Sequence, residues 1–445
     1  MKRIIGVKAA VEHFRRVRAS AGMDSGYSSR HLFAGRDGSA SQRTVLEIAT
    51  EIVDWVRNEG DKALRTITTN IEGAVPASFE VPRKEILAAL SGLPRESREA
   101  LEISADRVRR FQEAAKPRGW TDPSGQFGET VTPVGRVGAY VPGGTAPLAS
   151  TVIMTVVPAK VAGVHEVFVT TPAPGGAPVH PGVLAAAAIT GADRVFKIGG
   201  AQAIAALAYG TETVPKVDLI CGPGNVFVTA AKKLVYGDVG VDGLYGPTET
   251  LVIADPSADP EYCAADLLAQ AEHDYKAMPV LVATSAAVAD SVEAALARRL
   301  PQLHRRAIAQ GAVDTNGVTV IVGSVEEAIE LANAIAPEHL CLSVKDPAQY
   351  AHLVKFAGGL FLGESSAEVM ADYIAGPSHV MPTGGTARFA SALSVRHFLR
   401  ITPFLNLDEK SFLELAPRAA LLAKLEGLGG HAEAAETRLK RILGE

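Results

Sequence analysis

Gln270 and His273 are residue types, at a spacing, that could bind a metal ion. They lie in the stretch LLAQAEHDYK (267–276), whose apolar residues recur at helical spacing. Residues three apart share one side of a helix, so the amide oxygen and the imidazole would be neighbours. The pair could therefore be half of a metal site. Two neighbouring polar residues on a helix are also common without such a role, so the pair alone does not distinguish a metal site from an ordinary helix surface.

A complete site would need further donors from elsewhere in the chain. The three cysteines form no C-x-x-C pair, so neither a thiolate zinc knuckle nor a disulfide framework is indicated, and a reducing cytosol fits best. Zinc would then require histidine nitrogens with carboxylate or amide oxygens. Asp372 and His431 could join Gln270 and His273. These residues come from distant parts of the chain, so spacing does not establish that they meet. His431 would equally suit an exposed helix near the chain end.

Glu338 and His339 are adjacent at the start of a predicted strand, directly after Pro337. Both side chains could reach a cleft at the edge of a sheet. An acid beside an imidazole suits proton transfer, because each group can be tuned toward neutral pH. A solvated loop pair is the alternative interpretation, since the dipeptide alone is a weak signal.

Three glycine-rich loops follow β-rich runs, where ligands collect in parallel sheets. Their glycines would let backbone N–H groups approach a pyrophosphate, although none of the loops fits G-x-G-x-x-G, and ordinary tight turns remain the alternative. Tyr140, Gln202 and Asn225 are polar residues in these loops that could contact a nucleotide. The loops are YVPGGTAP (140–147), KIGGAQA (197–203) and CGPGNVF (221–227).

The pattern along the chain predicts an α/β fold. After Trp120, β-rich runs closed by Gly or Pro alternate with Ala-rich helical stretches, one set within 136–225 and a second within 250–363. This alternation predicts two parallel-sheet units in tandem. The segments before about residue 115 and after about residue 408 have helical periodicity and form N- and C-terminal extensions.

Composition narrows the class of function. A chain of 445 residues has room for roughly two or three domains. A net charge of −5 with a pI near 6.2 offers no basic field for nucleic acid. The first twenty residues lack the apolar block of a secretory signal, and prolines interrupt the longest uncharged run, 137–159, which argues against a membrane helix. We therefore expect a cytoplasmic protein that acts on a small molecule.

A set of motifs along the chain carries a more specific signal. These motifs are QAEH (270–273), APEH (336–339), DYIAGPSHVMPTGGTARF (372–389), GPTETLVIAD (246–255), EGLGGH (426–431) and the loops YVPGG, GGAQAIAALA and GPGN. Together they resemble the histidinol dehydrogenase family, in order and spacing, from about residue 30 to the end. The resemblance implies oxidation of L-histidinol to L-histidine through the aldehyde, with two NAD molecules in succession and one zinc ion per active site.

The resemblance also implies a role for each candidate residue. Glu338 and His339 would be the catalytic acid/base pair. The zinc ligands would be Gln270, His273, Asp372 and, from the other subunit of an intertwined homodimer, His431. These four ligands and His339 would also contact the substrate, together with Thr248 and with Glu426 from the other subunit. The NAD contacts would be Tyr140, Gln202 and Asn225.

The predicted fold is two tandem Rossmann-like parallel-sheet domains of an incomplete dinucleotide-binding type, with helical extensions. We predict an N-terminal helical arm (1–35) and a first, discontinuous α/β domain (36–135 plus 247–395). A second, NAD-binding α/β domain (136–246) and a C-terminal helical dimerisation segment (396–445) complete the chain.

Three positions depart from the family pattern. Thr248 replaces a serine, Tyr245 stands where a small residue is usual, and Ala371 replaces a glycine in GESSAEVMADY (363–373). These positions line or border the expected substrate pocket and leave the metal and base residues unchanged. Dehydrogenation is therefore better supported than the identity of the alcohol.

Three alternatives to this mechanism and substrate stay open. The same scaffold could oxidise another small polar alcohol, such as a sulfonated diol, but a sulfonate would require extra cationic groups, whereas cationic histidinol suits Glu426. A metal-dependent hydrolase would use the zinc to activate water and would form no NADH. Cys221, beside a glycine-rich loop, could form a thiohemiacetal during the second oxidation, although packing also explains a small buried cysteine.

Overall fold

Two parallel β-sheets organise the larger of two structural units in the computed structural model of the chain. The structure describes residues 1–20, 26–28, 42–143 and 146–444, with only the backbone at 19, 20, 26–28 and 42. Part of the predicted N-terminal arm, 21–25 and 29–35, therefore lies outside the described residues, as does Gly144 of the YVPGG loop. Unit 1 comprises Met1–Lys116 and Val134–Phe398, and unit 2 comprises Pro117–Pro133 and Leu399–Glu445.

The strands form mainly from short runs rich in Val, Ile, Leu and Thr, which fit the pleated surface of a sheet. Their bounds are β1 (Lys2–Ile5), β2 (Gly26–Ser28), β3 (Gln42–Thr44), β4 (Trp120–Thr121), β5 (Phe127–Pro133), β6 (Arg136–Tyr140), β7 (Glu166–Thr171), β8 (Arg194–Lys197), β9 (Leu219–Cys221), β10 (Gly240–Val241), β11 (Glu249–Ala254), β12 (Met278–Ala283), β13 (Val318–Ile321), β14 (His339–Ser343), β15 (Gly359–Leu362) and β16 (Leu399–Leu405).

Several helices begin at a residue whose side chain accepts a backbone N–H of the first turn, such as Thr44, Asn225 and Asp259. The α-helices are α1 (Val7–Ser20), α2 (Val45–Glu72), α3 (Arg83–Gly92), α4 (Arg95–Ala115), α5 (Ala149–Ala162), α6 (Pro181–Thr190), α7 (Gly200–Tyr209), α8 (Val226–Val235), α9 (Pro260–Ala271), α10 (Ala286–Arg299), α11 (Arg306–Asn316), α12 (Val325–Ile335), α13 (Glu368–Tyr373), α14 (Glu409–Leu425) and α15 (Gly429–Leu443).

The first sheet has the order β1-β13-β12-β11-β14-β15, with all neighbours parallel. One face packs on α9, α10 and α11, and the other packs on α1 and α12. All residues of β11 are buried, because helices cover both faces of the sheet. Each run predicted as a strand within 250–363 overlaps one of these strands, to within one or two residues at each end. The predicted α/β class is therefore confirmed.

The second sheet has the order β10-β9-β6-β7-β8 and is also parallel. Its helices α7, α6 and α5 pack against α2, α3 and α4 respectively. β1, near the chain start, belongs to the first sheet. The division of the chain into the four predicted domains stays a prediction.

The helix that carries Gln270 ends earlier than its sequence pattern indicates. α9 ends at Ala271, and the N–H of His273 donates to the Gln270 carbonyl in the turn that follows. The expectation that Gln270 and His273 share a side of one continuous helix was therefore wrong. The chain must leave the helix here to enter β12 only a few residues later.

Unit 2 combines a small antiparallel sheet with two helices. β5 pairs with both β16 and β4, and α14 packs against α15. The end of α14 exposes large apolar side chains, with Leu421 69%, Leu422 61% and Leu425 82% exposed. In the part of the chain that the structure describes, no helix is both long and apolar enough to cross a membrane.

Candidate active site

The amino ends of β11 and β14 meet in the first sheet and bring together several predicted site residues. The two strands are hydrogen-bonded neighbours in which Thr250 is paired with His339. Glu249 begins β11, and Glu338 directly precedes β14. The parallel register thus places Glu249, Glu338 and His339 side by side, all buried.

Glu338 is held by two donors from the start of β11. Its Oε2 accepts hydrogen bonds from Thr248 Oγ1 at 2.6 Å and from the Glu249 N–H at 2.9 Å. Thr248 Oγ1 also lies 2.9 Å from Gln270 Oε1. A hydroxyl carries one proton, so Thr248 can donate to Glu338 or to Gln270 but not to both at once.

His339 lies between acceptors. Its Nδ1 is 3.2 Å from the Glu249 carbonyl oxygen and its Nε2 is 3.4 Å from Asp372 Oδ1, while its ring stacks on Phe361 at 5.7 Å. Burial by itself would lower the pKa of His339, but the nearby Glu338 and Asp372 carboxylates outweigh burial and raise that pKa well above its ordinary value. The ring is thus oriented, with Nδ1 facing a backbone carbonyl that can only accept a hydrogen bond and Nε2 facing a carboxylate.

Asp372 connects this group to Gln270. Gln270 Nε2 lies 3.3 Å from Asp372 Oδ2, and both side chains are buried. Burial alone would raise the pKa of Asp372, but the hydrogen bond from His339 and neighbouring histidines bring it below its ordinary value. The structure therefore joins Thr248, Glu338, His339, Asp372 and Gln270 in one connected cluster.

His273 lies at the rim of this cluster, exposed, just beyond α9. Among the described residues, no group of three or more His, Cys, Asp or Glu side chains is arranged to hold a metal. The predicted set has two such residues in unit 1, His273 and Asp372, and takes its third donor from the amide of Gln270. An imidazole, a carboxylate and an amide oxygen are donors that zinc accepts, so these residues fit an ion completed by a fourth ligand.

Glu426 and His431 belong to unit 2. Glu426 directly follows α14 and His431 lies in the first turn of α15, and both are exposed. Their exposure confirms nothing about their predicted roles, which stay predictions.

The three predicted NAD residues lie at or near the carboxyl edge of the second sheet, where β6, β8 and β9 end. Tyr140 is 3% exposed, and its phenol oxygen accepts the Gly200 N–H at 3.1 Å. Gln202 is 1% exposed, and its Oε1 has no hydrogen-bond partner among the described residues. Asn225 caps α8 by accepting the Phe227 and Val228 N–H groups. The unpartnered amide oxygen and the glycine-rich loops fit a polar ligand such as a nucleotide.

Sequence reasoning missed Glu368 and Arg18, which contact β11 next to the cluster. Glu368 is fully buried; its Oε2 accepts from Thr250 Oγ1 at 2.8 Å, and its Oε1 has no partner among the described residues. Burial raises the pKa of Glu368 to about 8. Glu368 and Asp372 are four residues apart on α13, and this helical spacing was the available signal. Arg18 of α1 pairs with buried Glu249 at 3.2 Å, which nothing in the local sequence indicates.

Cys221 is fully buried at the end of β9. Burial raises the pKa of its thiol well above the ordinary value, so the thiol is protonated at neutral pH. A protonated thiol without solvent access is a poor nucleophile.

The fold and the cluster together define an α/β enzyme equipped to move protons on a small polar substrate. The family model for histidinol dehydrogenase matches residues 36–439. The chain is 51% identical over 411 residues to the histidinol dehydrogenase of Thermus thermophilus, covering 92% of this chain and 98% of that protein. It is 50% identical over 401 residues to the histidinol dehydrogenase of Deinococcus radiodurans, covering 89% and 91%.

A solved structure agrees with these matches. The crystal structure of histidinol dehydrogenase from Elizabethkingia anophelis superposes with a TM-score of 0.89 at 31% identity, covering 99% of this chain and 98% of that one. This chain belongs to the histidinol dehydrogenase family. The predicted family and the predicted enzyme class, an oxidoreductase, are confirmed.

Proposed function

We propose that this protein oxidises L-histidinol to L-histidine through L-histidinal, with two NAD molecules and one zinc ion per active site. The observation that carries the proposal is the connected cluster, in which Thr248 reaches Glu338 and Gln270, and Asp372 reaches Gln270 and His339. Two oxidations at one carbon need a base, a group that activates water and groups that hold the substrate, all within a small space. Relatives of this name at 51% and 50% identity support the substrate.

Gln270, His273 and Asp372, with His431 of the partner subunit, would hold the zinc ion. Gln270 and Asp372 already lie in contact, and His273 follows α9 directly. When bound, zinc would hold the amine and imidazole of histidinol and, because it has no redox chemistry, would leave both oxidations to NAD.

His339 and Glu338 divide the proton transfers between them. In the first oxidation the neutral form of His339 accepts the alcohol proton at Nε2, while Nδ1 keeps its hydrogen bond to the Glu249 carbonyl and holds the ring in place; the neighbouring carboxylates that raise the pKa of His339 stabilise the proton that it gains. Glu338 then activates the water that hydrates the aldehyde. In the second oxidation His339 accepts a proton of the hydrate. NAD, when bound, would accept one hydride in each oxidation, and His339 would release each proton that it gains to solvent. One histidinol, one water and two NAD⁺ would then give histidine, two NADH and three protons.

The charge around Thr248 favours a cationic alcohol. Its hydrogen-bonding neighbours are the acid Glu338 and the amide Gln270, and Asp372 lies one contact further. A sulfonate placed here would face carboxylates, whereas the amine of histidinol would be attracted to them. Glu426 of the partner subunit would add a further negative charge.

Tyr140, Gln202 and Asn225 would contact NAD at the carboxyl edge of the second sheet. Gln202 Oε1, buried without a partner among the described residues, supports this assignment because a buried amide oxygen is unfavourable unless a ligand or water donates to it.

We further propose a cytoplasmic homodimer in which unit 2 contacts the partner. The exposed Leu421, Leu422 and Leu425 support this proposal, because adjacent exposed leucines on one helix mark a surface that another chain covers.

Purified protein supplied with zinc, NAD and L-histidinol tests the function through NADH absorbance. We expect two NADH per histidinol, and loss of activity after chelation that zinc restores. NADH formed only with other alcohols would support the sulfonated-diol class. Absence of NADH with every alcohol, together with metal-dependent hydrolysis, would support the hydrolase and overturn the proposal.

A further inference from the structure

A lysine with no part in the proposed chemistry is buried beneath the loop that follows β9. The side chains of Lys232 and Asp242 are 1% and 0% exposed, and Lys232 Nζ lies 2.6 Å from Asp242 Oδ1. Burial of two charges is unfavourable unless they are paired and their remaining hydrogen-bonding groups are satisfied. The partners of this pair therefore indicate what it supports.

Both charged groups hold the backbone of Gly222, the first residue of the GPGN loop. Asp242 Oδ2 accepts the Gly222 N–H at 2.8 Å, and Lys232 Nζ donates to the Gly222 carbonyl at 2.9 Å. Hydrogen bonds to charged groups are stronger than those between neutral groups. Gly222 has a φ of +107°, and a Cβ there would stand 2.2 Å from the Tyr140 carbonyl oxygen. The loop is thus held at one fixed distance from β6.

Tyr245 extends this support toward Thr248. Its hydroxyl donates to Asp242 Oδ2 at 3.0 Å, and Lys232 Nζ lies 4.7 Å from the centre of its ring. Its carbonyl accepts from Thr229 Oγ1 at 2.6 Å. One carboxylate oxygen therefore receives both the Gly222 N–H and the Tyr245 hydroxyl, and Tyr245 stands three residues before Thr248 in the chain.

We infer that Lys232, Asp242 and Tyr245 are positioning residues that hold the loop 222–225 and the segment 246–248 in a fixed relation. A nucleotide at the loop is then kept within reach of an alcohol held by Thr248. The inference rests on the proposed function, because that function assigns the loop to NAD and the segment to the substrate.

Lys232→Met tests the hold on the loop, because methionine has a similar length but cannot donate to the Gly222 carbonyl. We expect the Kd and KM for NAD to rise tenfold or more, with kcat reduced less than threefold, in the zinc-loaded full-length enzyme. Lys160→Met is the control for loss of a lysine ion pair, since Lys160 pairs with Asp193 at the same distance, 2.6 Å, but in a partly exposed position at the amino ends of the strands of the same sheet. The control should leave NAD binding within twofold of wild type.

The double variant Lys232→Met/Asp242→Asn separates positioning from a general loss of stability. It removes both buried charges, so we expect its unfolding midpoint to recover toward wild type. Its NAD affinity should stay low, because the Gly222 carbonyl still lacks its donor. Recovery of NAD affinity together with the midpoint would overturn the inference.

Tyr245→Phe tests the connection to Thr248 without changing a charge. We expect the KM for L-histidinol to rise at least threefold, with NAD binding within twofold of wild type. Tyr209→Phe is the control. The Tyr209 hydroxyl donates to Asp238 at a distance of 2.9 Å, and this contact lies at the amino ends of the strands, away from the loop 222–225. Equal behaviour of these two variants would refute the connection. A wild type that binds NAD but makes no NADH from histidinol would instead contradict the proposed function.

Discussion

Side chains form the surface at the amino edge of the first sheet, where β11 and β14 begin, whereas backbone forms the surface at the carboxyl edge of the second sheet, where β6, β8 and β9 end. At the amino edge, buried side chains contact one another directly, as with Glu338, His339 and Asp372. At the carboxyl edge, glycine-rich backbone forms the surface, and buried side chains such as Lys232 hold that backbone from behind. Proton transfer needs titratable groups in contact, whereas nucleotide binding needs backbone N–H groups held at close approach. We therefore expect variants at the amino edge to impair catalysis and variants at the carboxyl edge to impair NAD binding.

Replacing His339 by asparagine should have the largest effect and should leave the carboxyl edge intact. Loss of the base is expected to lower kcat by a factor on the order of 10² to 10⁴. NAD binding, measured by titration, should stay within twofold of wild type. His352→Asn, at an exposed position, is the control. An equal loss of NAD affinity in His339→Asn would show that the two edges are not separate.

Gly222→Ala should impair the carboxyl edge of the second sheet and leave the amino edge of the first sheet intact. The added Cβ would meet the Tyr140 carbonyl oxygen at 2.2 Å and would also strain a φ of +107°. Strain of this kind costs about 1–3 kcal/mol, so the KM for NAD should rise about tenfold or more while kcat changes little. Gly237→Ala is the matched control, with a φ of +108° and no atom within 4 Å of the added Cβ. If both variants bind NAD equally, close approach is not the reason for the glycine.

Thr248→Val tests whether the amino edge depends on a hydroxyl. Glu338 and Gln270 would lose their hydrogen-bonding partner, the Thr248 hydroxyl. We expect this loss to weaken transition-state stabilisation by about 1–2 kcal/mol, which corresponds to a roughly tenfold lower kcat/KM for histidinol. Thr248→Ser keeps the hydroxyl and should retain activity within about threefold. A serine variant as impaired as the valine variant would assign the role to the methyl group instead.

Glu368→Gln tests the protonation of the carboxyl group that is buried beside β11 and β14. Because burial raises its pKa from 4.5 to about 8, Glu368 binds its proton more tightly in the folded state. The wild-type free energy of unfolding should therefore fall as the pH rises between these values and then level off. Glutamine has no such proton, so the stability of the variant relative to wild type should increase by about 4 kcal/mol from pH 5 to pH 8.5, at about 1.4 kcal/mol for each pKa unit crossed.

Thermal unfolding at several pH values measures this difference. Glu330→Gln, at an exposed position, should show no comparable trend. A stability difference that does not change with pH would mean that Glu368 is not protonated in the folded protein.

Cys221→Ala should have the smallest effect. The thiol is buried and its pKa is raised, so both oxidations should proceed within about twofold of wild type and still yield two NADH per histidinol. Selective loss of the second oxidation would instead support a thiohemiacetal at the carboxyl edge.

Local patterns predicted the strands well, because a strand buried on both faces is a continuous apolar run between Gly or Pro residues. The centres of β11 and β14, LVIA (251–254) and LCL (340–342), are examples. The end of α9 was misplaced because it depends on where the chain must enter β12. Glu368 was missed because its importance comes from contacts with Thr250 and Cys341, which lie far away in the sequence.

The sequence by itself determined the alternation of strands and helices, the glycine-rich loops and the family. These properties depend on residue type and local spacing. Only the tertiary structure decided that β11 and β14 are neighbours, and hence that Thr248, Glu338 and His339 meet. Strand order is set by packing between segments about ninety residues apart, and no local pattern encodes which strand lies beside which. The burial of Lys232 against Asp242 and Gly222 is a result of the same packing.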